Sequence, residues 1–444
     1  MKYLTIIAFG IILLVCACNQ ETTILQNQKE IVKIPSKIPI NEALKNADIL
    51  FSYIEKNTRS KNRTVKSIQT IGLNNETRSS ETSDKPQYYL VNYENDEGFA
   101  VLSADKRLGT VFAIAEEGHL SLEDTIDNPG LTSFFSGLDK MASSLSLRDS
   151  LIVIGPSNPI DSVYQLAVEW SVAPKMPSMV QKWPGTPKYG LSELYSPVAI
   201  SIAQIMATFA RPNKWIYYAN TTGNHPVTEI NWPLIQKYQF SQNNTEGLTK
   251  VKELFDLISH DFCYLQGEGE IILKPGIPTY EIYWNESFNR RGYNVDSYYG
   301  DKTPGGIGRY ECPYLGSHKE WRDALDNDKL PLACDLPVGQ TEYYPGQEYS
   351  EIPDHSNFCH FWVVDGYIKY YEPFNSIMKE HGIDIMFHCV WGKGGKNNGY
   401  FVILNKMIPI SSESTTPILD PYPDSGDRTI YYYLIEKKIP YYEE

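Results

Sequence analysis

The sequence predicts a mixed α+β protein in two units. The first is a small antiparallel sheet with helices; the second, larger unit has one buried helix followed by strands. Three observations carry this. Between residues 87 and 118 the runs "QYYLVNY", "GFAVLSA" and "TVFAIAEEG" are separated by Gly, Asn and Asp, the punctuation of a small meander. From Pro197 to Ala210 the chain is apolar or small nearly all round, which marks a buried helix rather than a surface one. Beyond it, "PLACDL", "HFWVV", "FHCVW" and "YYYLI" are strand-like runs bounded by turn residues.

Length and composition fit this division. The 444 residues are 42% hydrophobic, enough for more than one core. A formal net charge of -14 lacks the basic footprint that nucleic-acid binding requires. The 32 tyrosines fit a β-rich exported protein better than a carbohydrate-binding platform.

In chain order, "MKYLTIIAFGIILLVCACNQ" has a basic start, an apolar run from about Leu4 to Val15 and small residues before Cys18. The run is short for a membrane span and fits a removable signal over residues 1–17. "VCAC" resembles a bacterial lipobox, which makes Cys18 the acylated first residue of the mature chain. That acylation anchors the protein at the cell envelope, at the outer membrane or cell surface. Residues 18–38 are polar and unpatterned and are expected to form a tether.

"NEALKNADILFSYI", from Asn41 to Ile54, carries a helical stripe behind an Asn cap. A strand is expected around Val65 to Ile71, then the meander, then a helix in "NPGLTSFFSGLDKMASSL" with Pro129 near its start. These place the first unit at 39–148 and a Pro/Ser/Asn-rich linker at 149–164, with the second unit spanning 165–444. Five cysteines remain in the mature body: Cys263, Cys312, Cys334, Cys359 and Cys389. They show neither CxxC pairs nor metal-type spacing, so no metal or other cofactor is expected. Burial in apolar strands accounts for those in "PLACDL" and "FHCVW".

Three motifs carry a resemblance. "SPVAISIAQIM", Ser196 to Met206, is similar to the "GCVATAMAQIM" that opens the catalytic helix of the streptopain-like cysteine peptidases. "CHFWVVDGY", Cys359 to Tyr367, resembles that family's "GHAWVVDGY". "FHCVWGKGGKNNGYF", Phe387 to Phe401, resembles its "HVNWGWGGxxNGYF". The first unit resembles the family's inhibitory pro-domain through Tyr88–Tyr93 and "GFAVLSADKR". In the family this domain covers the cleft until it is cleaved, and free-standing versions act as inhibitors. The resemblance implies a papain-like fold for the second unit, its central buried helix packed against an antiparallel, barrel-like sheet.

It also implies specific site residues and their loss. The nucleophilic cysteine falls on Pro197 and its preceding glycine on Ser196. His360 holds the position of the base. Val390 falls on the asparagine that orients that histidine, Lys393 on a tryptophan, and Cys359 on a glycine. Trp391 is retained beside the cleft, and Gln181 in "MPSMVQKW" is a candidate on the oxyanion side. Proline supplies neither a nucleophilic atom nor a backbone N–H, so both the attack and one oxyanion donor are lost at position 197. A histidine without its orienting partner loses tautomer control. Cys359 cannot serve the adjacent His360, because neighbours on a strand point to opposite faces. The expectation is a non-catalytic family member that binds a peptide or protein. The alternatives are a peptidase with a displaced thiol, Cys389 being the remaining candidate, and an inhibitor of a separate cysteine peptidase through residues 39–148. "DG" at Asp365-Gly366 is expected to make a two-residue hairpin turn.

Overall fold

The computed structural model describes residues 37–55, 63–72, 77–78, 86–105, 108–121, 128, 166–183, 197–216, 227–238, 288–297, 316–337, 360–371, 385–402 and 428–438. It also describes 130–139 except 133, 136 and 245–272 except 263, 267–269. The expected signal segment, Cys18, Ser196, the 149–164 linker and Cys359 lie outside these residues.

The first helix, α1, runs Ile40–Ile54 and buries Ala43, Ala47, Leu50 and Phe51, the stripe its spacing predicts. Its cap differs from expectation. Pro39 is the capping residue and makes no side-chain hydrogen bond, while Asn41 lies inside the helix. Pro39 is extended and caps through its backbone carbonyl, which accepts from the Glu42 N–H at 2.9 Å and the Ala43 N–H at 3.1 Å. Strands β1 (Val65–Gly72), β2 (Thr77–Arg78), β3 (Pro86–Tyr93), β4 (Phe99–Ser103) and β5 (Val111–Ala115) follow. β3, β4 and β5 form the expected antiparallel meander, and β1 pairs with both β3 and β2, giving the spatial order β2-β1-β3-β4-β5. Arg63 ties α1 to this sheet. It pairs with Glu55, lies 4.0 Å over the Phe51 ring and donates to the Glu97 carbonyl at 2.8 Å.

The larger unit opens with β6 (Ala167–Val172) and the short helix α2 (Ser178–Gln181). The buried helix α3 (Pro197–Phe209) follows, then β7 (Lys214–Ile216) and β8 (Val227–Glu229), which form a separate hairpin. Next come α4 (Trp232–Gln236), α5 (Thr245–Phe262), the pair β9 (Tyr264–Gln266) and β10 (Glu270–Ile272), and β11 (Tyr293–Ser297). Helix α6 (Gly316–Asp326) leads into β12 (Leu330–Pro337) and the long β13 (His360–Tyr371). Strands β14 (Ile385–Val390), β15 (Gly399–Val402) and β16 (Arg428–Lys437) complete it.

α3 lies on β13 and packs against α5, α4 and α2. Ala199, Ala203 and Ala207 are fully buried beside Ile202, Ile205 and Met206, so small residues let neighbouring backbones approach closely. The α+β class, with one buried helix against an antiparallel sheet, is the arrangement observed.

Two features depart from the motif-level picture. Asp365-Gly366 is not a turn: β13 passes straight through it for 12 residues. Asp365 instead occupies a β-bulge, where the register against β14 shifts between Val364 and Gly366. Gly366 is needed because β6 pairs with this part of β13 and crowds it. A Cβ there would lie 2.8 Å from the Val172 carbonyl oxygen and 3.0 Å from the Pro174 nitrogen. The second feature is continuity. The main sheet has 12 strands in the order β11-β16-β12-β13-β14-β15-β5-β4-β3-β1-β2, with β6 also on β13. The meander is thus joined edge to edge with the larger unit at β15 and β5, and one buried apolar cluster runs from Ile38 to Ile435.

Candidate functional site

α3, β13 and the turn after β14, the elements that carry the motif residues, pack on one another. Ser201, one helical turn into α3 after Pro197, donates its hydroxyl to the Phe361 carbonyl at 3.2 Å. Phe361 follows His360, which opens β13 and pairs with Asp335 of β12. One helical turn is about 5.4 Å of rise. This bond therefore sets the first turn of α3 beside the first residue of β13. The start of α3 and the start of β13 thus share one corner of the sheet.

The third element is the glycine-rich turn after β14. Val390 is fully buried and pairs with Val363, three positions along β13 from His360. Trp391 follows it and is 3% exposed. Its ring lies 5.3 Å from that of Trp362 and 5.1 Å from that of Phe401. Its backbone N–H donates to Asn398 Oδ1 at 3.0 Å, and its indole N–H to the Asn397 carbonyl at 2.9 Å. Lys393 is half-buried. A Cβ at Gly392 would meet Ile200 Cγ2 at 3.4 Å, so the turn packs on the first turns of α3.

α2 closes the same corner. The Gln181 side-chain amide donates to the Met176 carbonyl at 2.8 Å, so one of its two protons is already committed within its own segment. Its backbone carbonyl accepts from Asn398 Nδ2 at 3.1 Å. Asn398 thus clamps both Trp391 and Gln181, a role the motif match did not assign. Gly394 N–H donates to the Trp183 carbonyl at 3.1 Å. The fully buried Gln204 donates to the Val180 carbonyl at 3.0 Å and pins α2 to α3. The turn after β14, α2 and the first turns of α3 thus pack on one another, held by Asn398, Gly394 and Gln204.

Two groups near this corner bear on chemistry. The Cys389 thiol is buried, and its Sγ donates to the Phe387 carbonyl at 3.6 Å. Burial pushes the thiol well above its ordinary range, with the Asp365 carboxylate adding to the rise. A thiol held protonated in the core is neither nucleophilic nor reachable. The other group is a buried ion pair that the motif match did not reveal. His388 Nδ1 lies 2.5 Å from Asp365 Oδ1, with side-chain exposures of 3% and 0%. Burial opposes the imidazolium, but the Asp365 carboxylate, its hydrogen bond and Glu116 outweigh that, and His388 is held above its ordinary value. Asp365 Oδ2 also accepts from the Met176 N–H at 3.0 Å. This histidine–aspartate pair is closed off on every side, with Tyr400 4.9 Å away ring to ring, so it holds strands together rather than meeting a substrate.

Among the described residues, no group of three or more His, Cys, Asp or Glu side chains is placed to hold a metal ion. No helix of the described residues is long and apolar enough to cross a membrane.

No curated protein matches the chain. Among solved structures, it resembles a prointerpain A fragment from Prevotella intermedia carrying a cysteine-to-alanine substitution. The TM-score is 0.42 at 16% identity, covering 80% of this chain and 96% of that one. The first unit has a defined relative in sequence: residues 35–142 match the model of the Spi protease inhibitor family.

Proposed function

We propose that this chain is a non-catalytic relative of the streptopain-like cysteine peptidases, an exported lipoprotein whose cleft corner binds a peptide or protein. The observation that supports this most directly is that α3 begins at Pro197, one turn before the Ser201 contact to the start of β13. The corner where a thiolate and an imidazole would have to meet has proline on the helix side. His360 keeps the base position with nothing to deprotonate. The buried, protonated Cys389 does not replace the missing thiol. Cys18 supplies the lipid anchor, at the outer membrane or cell surface, and the protease-inhibitor-like N-terminal unit is the inherited pro-domain.

Purified mature protein incubated with denatured casein and a thiol-directed epoxide is expected to show neither turnover nor labelling. Turnover that disappears on His360→Ala would overturn the proposal. The converse experiment installs the missing atom. A cysteine at the first residue of a 13-residue helix feels the helix N-terminus, which lowers thiol pKa values from about 8.5 to roughly 3.5–7.5. Pro197→Cys should therefore be alkylated by iodoacetamide at pH 6, where an ordinary thiol is less than about 1% ionised. Cys389 should react only after unfolding. A Pro197→Cys thiol that titrates at the ordinary value would place residue 197 away from the helix terminus and undo the assignment.

A further inference from the structure

The seam between β5 and β15 has a property that a removable cover would not need. Gly399, Tyr400 and Phe401 pair in register with Ala115, Ile114 and Ala113. Two further backbone bonds extend the ladder, Glu116 N–H to the Asn398 carbonyl and Asn397 N–H to the Glu117 carbonyl, both 3.3 Å. Gly399 is fitted to this contact. A Cβ on it would lie 2.2 Å from the Ile114 oxygen and 2.6 Å from the Ala115 Cα, atoms that belong to the N-terminal unit. Side chains add to the contact: Phe134 stands edge-on to Phe401 at 5.4 Å, and the half-exposed Lys182 pairs with Glu117 at 2.6 Å. Farther along, Tyr370 donates to the Val111 carbonyl at 3.2 Å, and Tyr53 Oη lies 2.8 Å from Ser171 Oγ. The apolar cluster beneath is continuous across the seam.

We infer that the N-terminal unit is a permanent part of the folded body, bound through β5 to β15, and stays in place when the linker is cut. Pulling it off would expose two unpaired strand edges, which are costly in water and prone to aggregation. It would also strip Phe401, on which Trp391 and the candidate site's turn rest. The β5 edge is filled by the chain's own β15, so it is closed to strand addition by another protein. The unit therefore acts in place and not as a free inhibitor. This inference is independent of whether the cleft is catalytic.

The test uses the full mature chain with a site-specific protease sequence inserted within residues 149–164, cut to completion as judged on a denaturing gel. The two pieces are expected to co-elute as one particle of the uncut size in gel filtration. The amides of Glu116 and Asn397 should keep their hydrogen-exchange protection after cutting. Separation of the pieces, or a hundredfold or greater loss of protection at those two amides, overturns the inference. Gly399→Val, whose Cβ meets Ile114 and Ala115 across the seam first, should make the cut pieces separate. Pieces that still co-elute in that variant would show that β5–β15 is not the joint. If Gly399→Val does not accumulate as folded protein, the exchange measurement on the cut wild-type chain decides alone.

Discussion

Asp365→Ala should destabilise the protein by about 3–5 kcal/mol, the range seen when one partner of a buried ion pair is removed. The carboxylate is fully buried and makes two separate bonds, to His388 Nδ1 at 2.5 Å and to the Met176 N–H at 3.0 Å. Alanine leaves a buried imidazole and a buried backbone N–H without acceptors, and neither can be reached by bulk water. Asp365→Asn keeps an acceptor while removing the charge, so it should cost less. Denaturant midpoints of the three proteins check this. A shift under about 0.5 kcal/mol for the alanine variant, the size typical of uninvolved surface sites, would mean the pair is not holding the bulge.

The same pair predicts a pH dependence with a definite sign. His388 is held above its ordinary pKa by Asp365 and Glu116 despite its burial. A folded-state value above the unfolded one, about 6.5, stabilises the fold fully below that pH. The contribution is lost as pH rises through the higher folded value. Melting temperature should therefore fall from pH 6 into the alkaline range. His388→Asn, which retains a donor but cannot titrate, should flatten that part of the curve. Tyr400 and Cys389, the other titratable neighbours of Asp365 in this cluster, are both pushed up by burial and remain protonated through the window.

Local elements were legible in the sequence where local forces decide them. α1, the β3–β4–β5 meander and α3 all follow from apolar spacing, and the structure places them where the spacing does. Asp365-Gly366 was misleading because the dipeptide has strong turn chemistry in isolation. What overrides it is non-local: β6 crowds Gly366, and His388 captures the Asp365 carboxylate. The β5–β15 pairing was invisible for the same reason, since its partners lie in segments that look like separate units. At the candidate site, the motif matches fix which residues occupy positions 197 and 360. The bond that holds α3 to the start of β13 comes from one hydroxyl, Ser201, that no pattern singles out. Asn398 likewise reads as an ordinary loop asparagine until its two clamping bonds are seen.

Trp391→Ala should have an effect of similar size, about 3–5 kcal/mol, as for truncation of a buried aromatic. The indole stands between two structures at once. On one side it meets Trp362 of β13, two positions from His360; on the other it meets Phe401, which pairs with Ala113 across the seam. Its indole N–H also satisfies the Asn397 carbonyl in the turn. Loss of the ring thus opens a cavity under the candidate site and loosens the ladder to the N-terminal unit together. Trp391→Phe keeps an aromatic ring and loses that hydrogen bond, so about 1 kcal/mol of its cost comes from the bond alone. Hydrogen exchange separates a core anchor from a simple cleft wall. As an anchor, Trp391→Ala should cut protection first at Gly394 and Asn397, then at Glu116, before the rest of the sheet. A variant that keeps wild-type stability and protection but loses peptide binding would make Trp391 a ligand contact instead. With 3% of the residue exposed, the anchor is the outcome the packing demands, and the turn's shape at positions 392–398 is set by the core beneath it.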